Sequence, residues 1–78
     1  MTLKYKFSGD LLRAREERGW KQPEVADIFG ISLREYQDIE GGKRIPQTEL
    51  FLRMVRYYRF DIEEYMEIAS EIAPAGKW

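Results

Sequence analysis

The segment Gly30-Ile31-Ser32-Leu33-Arg34-Glu35 constrains the fold of this chain more than any other. Gly30 suits a helix end, because a residue without Cβ enters the left-handed region at no steric cost. Two residues later Ser32-x-x-Glu35 reads as a capping box, in which the Ser hydroxyl and the Glu carboxylate satisfy each other's orphan backbone N–H groups at a helix start. One helix therefore ends and the next begins within two residues. Upstream, Gln22-Pro23 marks a first turn, where the missing N–H of Pro breaks no intrahelical bond. That helix runs through Val25, Ala26, Ile28 and Phe29 and reaches Gly30 after only about two turns. The pattern predicts two short helices joined by a tight turn.

The same punctuation divides the rest of the chain. Leu3-Lys4-Tyr5-Lys6-Phe7 alternates apolar and basic residues with period two, which predicts an extended N-terminal arm over residues 1–7 that tucks Tyr5 and Phe7 onto the core. Ser8 then offers a cap and Phe7 a staple against Leu12, so the first helix is expected over 9–18, with Leu11, Leu12, Ala14 and Arg15 at helical spacing and Gly19 as its stop. In the third helix Tyr36 and Ile39 point inward and Leu33, Arg34, Gln37 and Asp38 outward, before Gly41-Gly42 and a loop through Pro46. A fourth helix spans 48–58 with an apolar stripe of Leu50, Phe51, Met54, Val55 and Tyr58. Asp61-x-x-Glu64 opens a fifth over 62–73, closed by Pro74 and Gly76. The expected architecture is an all-α, five-helix bundle: an arm over 1–7, a helix-turn-helix unit over 8–60, and a C-terminal helix and tail over 61–78.

Composition limits function. In a single domain of 78 residues there is no Cys and no His, which removes disulfides, thiolate and imidazole metal sites, and the usual nucleophile–base pairings. An enzyme is not expected, nor is a cofactor. No apolar run approaches the roughly 20 residues of a membrane span, and a cytoplasmic protein is expected. Met1 and a tail after Pro74 suit a complete short protein. The net charge of −1 hides an asymmetry: residues 1–60 carry twelve Lys and Arg against nine Asp and Glu, whereas 61–78 carry five acids against Lys77. The basic and acidic parts are different pieces of the molecule.

Two short helices with a capped, polar, outward second helix suit the reading of a DNA major groove. The longer string Leu12-x-x-Arg15-x-x-x-Gly19-Trp20-x-Gln22-x-x-Val25-Ala26-x-x-x-Gly30-Ile31-Ser32, followed by Tyr36-x-x-Ile39-Glu40-x-Gly42-Lys43-Arg44-x-Pro46, resembles the phage-repressor and Cro type of helix-turn-helix protein, the XRE family. The resemblance covers about residues 8–66 and implies a λ-repressor-like fold and double-stranded DNA as partner. It implies a structural ion pair between Arg15 and Glu40, a phosphate contact from Gln22, a small Ala26 where the second and third helices approach, base-facing Leu33, Arg34 and Asp38, and a backbone-contacting loop at Gly42, Lys43 and Arg44.

Physical chemistry gives these positions matching capacities. Arg34 suits a bidentate contact to guanine, Leu33 a thymine methyl and Asp38 cytosine N4, with Gln37 a polar neighbour. Arg34 and Asp38, four apart, equally suit an exposed ion pair. Three positions depart from the pattern: Lys21 replaces a capping side chain, Gly41 replaces a phosphate-contacting one, and Arg59 stands where Gly commonly closes the fourth helix. Glu35 and Asp38 place negative charge near the DNA face, so modest and strongly salt-dependent affinity is expected. Arg53, Arg56 and Arg59 suit solvent, or pairing with Glu49 or Glu63, better than phosphate.

The fifth helix offers a broad apolar stripe of Ile62, Tyr65, Met66, Ala69, Ile72 and Ala73, extended by Ile68 and with Trp78 at its end. That excess predicts a homodimer contact. The expected function is sequence-specific DNA binding by a homodimeric transcriptional regulator, a repressor reading a palindromic operator through the third helix. The alternative is a protein-interaction module on the same scaffold, such as an antitoxin or a regulator's partner, which the sequence pI of about 5.5 favours.

Overall fold

The computed structural model describes residues 2–72, with side-chain surroundings through Ser70. It contains five helices: α1 (Leu3–Arg18), α2 (Gln22–Phe29), α3 (Leu33–Glu40), α4 (Thr48–Tyr58) and α5 (Ile62–Ile72). The family-type all-α architecture expected from the sequence is present. Ala73, Pro74, Gly76 and Trp78, which were expected to end or extend the last helix, lie outside the described residues.

The N-terminal arm is a correction. Residues from Leu3 onward are helical, with Thr2 rather than Ser8 as N-cap, its hydroxyl accepting from Tyr5 N at 3.4 Å. Two periodicities compete in this segment, and the helical one prevails because Leu3, Phe7, Leu11 and Ala14 fall on one face. Phe7 and Leu11 are fully buried and Ala14 nearly so, while Leu12 is 37% exposed. The Ser8 hydroxyl instead donates to the Tyr5 carbonyl three residues back at 3.1 Å.

The core forms where α1, α2, α3 and α4 meet, around Phe7, Leu11, Val25, Tyr36, Ile39 and Met54. Phe7 is the hub of an aromatic cluster, with ring centroids 4.8 Å from Phe51, 5.6 Å from Tyr65 and 6.1 Å from Phe60. Those distances are favourable for offset and edge-to-face rings. Tyr65 is therefore what attaches α5 to the domain, and its hydroxyl donates to Asp10 of α1. Lys6 adds an ion pair to Glu64 at 2.9 Å.

Helix ends follow local chemistry with two substitutions of partner. At Ser32 the hydroxyl accepts from Glu35 N at 3.0 Å, but the Glu35 carboxylate is turned to Arg44 at 3.3 Å, so half of the expected capping box forms. At the start of α5 the Asp61 carboxylate accepts from Glu63 N at 3.0 Å, while Glu64 serves Lys6. Both box glutamates have found a cation on another element, a stronger partner than a backbone N–H. At Lys21, which has no acceptor to offer, Glu24 reaches back to the Lys21 N–H at 2.8 Å. Arg59 closes α4 in the left-handed region at φ 60°, the only described non-glycine residue with positive φ.

Candidate nucleic-acid interface

The turn between α2 and α3 depends on Gly30, whose φ of 69° lets its N–H and that of Ile31 return to the Asp27 and Ala26 carbonyls at 3.1 and 3.0 Å. Ala26, buried at 2% exposure, allows the two helices to pack closely. Tyr36 and Ile39 anchor the inner face of α3 at 0% and 1% exposure. The outer face then has to carry Leu33, Arg34 and Gln37, all exposed. Asp38 is partly covered and pairs with Arg34 at 3.5 Å, the i,i+4 ion pair that their spacing allows.

Glu40, at the end of α3, organises the site. Arg15 forks onto it, Nε donating to Oε2 at 2.8 Å and Nη2 to Oε1 at 3.0 Å, while Nη1 donates to the Trp20 carbonyl at 3.0 Å. The Tyr36 hydroxyl donates to Oε2, and Gln22 Nε2 donates to Oε1 at 2.9 Å. Burial alone would push the Glu40 carboxyl up, but the hydrogen bonds from Arg15, Tyr36 and Gln22 outweigh it and hold its pKa below the ordinary value. The Tyr36 hydroxyl is pushed up, first by burial and then by the Glu40 carboxylate, and stays protonated as a donor.

Gln22 links this buried network to the surface. Its Oε1 accepts from Gln37 Nε2 at 3.2 Å, so the first residue of α2, the outer face of α3 and the Arg15–Glu40 pair form one connected unit. A primary amide has two N–H groups and its oxygen two lone pairs. Gln22 keeps one N–H and Gln37 keeps one N–H and its carbonyl, enough for a phosphate contact from the former and a base-edge contact from the latter. Sequence reasoning placed Arg15 with Glu40 and left Gln22 and Tyr36 out of that cluster. Their spacing gives no signal, because which side chains converge on a buried carboxylate is decided by how three helices cross.

The loop after α3 corrects one assignment. Gly42 is buried rather than presented to a ligand, and its N–H bonds to the Ile39 carbonyl at 3.1 Å. Its φ is 77°, and a Cβ there would lie 3.0 Å from Tyr5 Cδ1 of α1. Gly42 thus lets the loop turn beneath the Tyr5 ring and leaves Lys43 exposed beside α3. Arg44 is half-exposed and paired with Glu35. The two acids near the outer face of α3 are each matched by an arginine, which offsets the repulsion expected of them.

On α5, Tyr65 is 3% exposed and belongs to the core, and Ile62 packs against that core, so the apolar stripe divides. Met66, 55% exposed, and Ala69 remain on the surface, while the Ile72 side chain lies outside the described surroundings. No described helix is long and apolar enough to cross a membrane, and the described residues bring together no cluster of three or more His, Cys, Asp or Glu side chains that could hold a metal ion.

Two short packed helices, a glycine turn, and a polar face held from behind by a buried carboxylate define a helix-turn-helix domain, a class whose function is DNA binding. The family model described as a helix-turn-helix domain matches residues 7–67, and the chain belongs to that family, in agreement with the phage-repressor type of resemblance. No curated protein and no solved structure matches the chain.

Proposed function

We propose that this protein is a transcriptional regulator, acting as a repressor, that binds a palindromic operator as a homodimer and reads it with α3. The observation that carries the reading is the unit of Gln22, Gln37 and Glu40, which fixes the outer face of α3 against the N-terminus of α2. Phosphate contacts from Gln22 and Lys43 set the register, and Leu33, Arg34, Gln37 and Asp38 face the base edges. Arg34 and Arg44 exchange their present partners, Asp38 and Glu35, for guanine and phosphate. Exposed ion pairs are worth at most about 1 kcal/mol, so the exchange is inexpensive. A two-fold dimer would set two copies of α3 one DNA turn apart, about 34 to 36 Å. Met66, Ala69 and Ile72 of α5 are the apolar residues offered for that contact.

A second reading, a protein-interaction module such as an antitoxin, draws support from the same two ion pairs, which leave Lys43, among the described residues, exposed beside α3 without an ion pair. Selection from a pool of random duplexes followed by sequencing separates the two. An enriched two-fold symmetric site supports the regulator, and absence of enrichment at low salt refutes it in favour of the interaction module.

A further inference from the structure

The outer face of α4 carries Arg53, Arg56 and Arg59, and the ion pairs among the described residues involve none of them. Glu49 and Glu63, their expected partners, do not reach them. With Ile28, Phe29 and Tyr57 the three arginines line an open depression of about 410 Å³ between α2 and α4, where the Arg53 guanidinium lies 6.0 Å over the Phe29 ring. Ile28 is 39% and Tyr57 48% exposed, so part of the lining is apolar and accessible. A phosphate backbone would leave that apolar lining unused. The chemistry asked of an occupant is an apolar side chain flanked by carboxylates.

The same chain displays that arrangement on α5. Glu63, Met66 and Glu67 stand at i, i+3 and i+4, which places them side by side on one helix face, about 5 to 6 Å apart at Cβ. Met66 is largely exposed, and neither glutamate pairs with a described cation. Glu63 and Glu67 are four residues apart and Arg53 and Arg56 on α4 three, both spacings that set side chains about 5 to 6 Å apart on one helix face. Within one protomer the two faces cannot meet: α5 follows α4 after only Arg59, Phe60 and Asp61, and Tyr65–Asp10 and Lys6–Glu64 hold it against α1. The complement must come from another molecule.

We infer that the basic depression between α2 and α4 receives the acidic face of α5 from a second copy of this chain, with Met66 seated over Ile28 and Tyr57 and with Glu63 and Glu67 paired to Arg53 and Arg56. Each protomer carries one of each surface, so a single two-fold axis satisfies both contacts at once and closes the dimer. This rests on the dimeric part of the proposed function and gives it a different surface: a crossed, charged contact instead of apolar pairing of α5 with α5. The two differ in salt response, since charge pairing at a partly exposed interface weakens as the Debye length falls.

Sedimentation equilibrium on the full chain tests it with two charge reversals, Arg53→Glu/Arg56→Glu and Glu63→Arg/Glu67→Arg, each checked by circular dichroism and thermal melting. Wild type is expected to dimerise, with a dissociation constant that rises at least about tenfold between 50 and 500 mM salt. Each variant alone is expected to be monomeric, because like charges then face each other in both contacts. An equimolar mixture is expected to restore a heterodimer, since every acidic face again meets a basic one. Dimers that survive both reversals, or a mixture that stays monomeric, overturn the crossed contact while leaving a dimer by another surface standing. A wild type that is monomeric throughout overturns this contact and the homodimer together. Sequence-specific DNA binding is judged separately by duplex selection. Loss of DNA binding by the arginine reversal, with dimerisation intact, would assign the stripe to phosphate instead.

Discussion

Replacing Glu40 with Ala tests the idea that one buried carboxylate holds the domain and its recognition face together. The side chain is 6% exposed and accepts four hydrogen bonds: two from Arg15, one from Gln22 and one from Tyr36. Hydrogen bonds to a charged group contribute about 1.5 to 3 kcal/mol each, but members of one network are not additive. The larger effect is what Ala leaves behind, an Arg15 guanidinium that is only 15% exposed and has lost its counter-ion. Breaking a buried pair from one side costs about 3 to 5 kcal/mol. A chain of this size has roughly 4 to 12 kcal/mol of total stability at 0.05 to 0.15 kcal/mol per residue. Glu40→Ala is thus expected to remove from about a quarter to all of it. Urea unfolding followed by circular dichroism measures the change at constant ionic strength. The double variant Arg15→Met/Glu40→Leu, which removes both charges, is expected to recover at least half of the loss. A Glu40→Ala cost below about 1 kcal/mol, or a double variant less stable than either single one, would refute the account.

Other consequences follow from the same geometry. Because Glu40 is held below its ordinary carboxyl pKa, its contribution is complete above the unfolded value near 4.5 and is lost as pH falls through the lower folded value; stability should drop in that acid window, and Glu40→Gln should flatten that limb. Arg59→Gly relieves a left-handed side chain that costs about 1 to 2 kcal/mol, partly offset by the entropy of glycine, so thermal melting should show a net gain of about 0.5 to 1 kcal/mol. Gly42→Ala combines a φ of 77° with a Cβ 3.0 Å from Tyr5, and should destabilise by about 1 to 3 kcal/mol. Adding Tyr5→Ala should return the steric part and leave the backbone part, as urea titrations of the pair would read. Lys43→Ala should lower the salt slope of DNA binding by about 1 without changing which sequence is preferred.

Three of the four boundaries that separate the helices carry glycine, Gly19, Gly30 and Gly41-Gly42, and were legible because each acts within its own few residues, whereas α4 ends on Arg59. Gly30 and Ser32 set the α2–α3 turn whatever surrounds them, and the apolar stripes of α3 and α4 point as their spacing requires. Leu3 to Phe7 misled because Lys4, Tyr5 and Lys6 satisfy a period of two while Leu3, Phe7 and Leu11 satisfy 3.6, and only tertiary packing of Phe7 chooses between them. Tyr65 misled for a related reason. Its place in the stripe of α5 shows that it is apolar and inward, but not that the inward partner is Phe7 of the same protomer. At the recognition face the residue types were readable and the pairings were not: Glu35 could equally have closed its own capping box, and it is the loop geometry set by Gly42 that brings Arg44 to it.

The claim at the centre of this account is that α3 reads bases through its exposed face, and Arg34 tests it most directly. Base preferences of wild type and Arg34→Ala should be compared position by position across a selected duplex, at one salt concentration. The account predicts that Arg34→Ala loses discrimination of about 1 to 3 kcal/mol at a single guanine-bearing pair in each half-site and keeps the other preferences. A uniform weakening at all positions, or an unchanged profile, would contradict it.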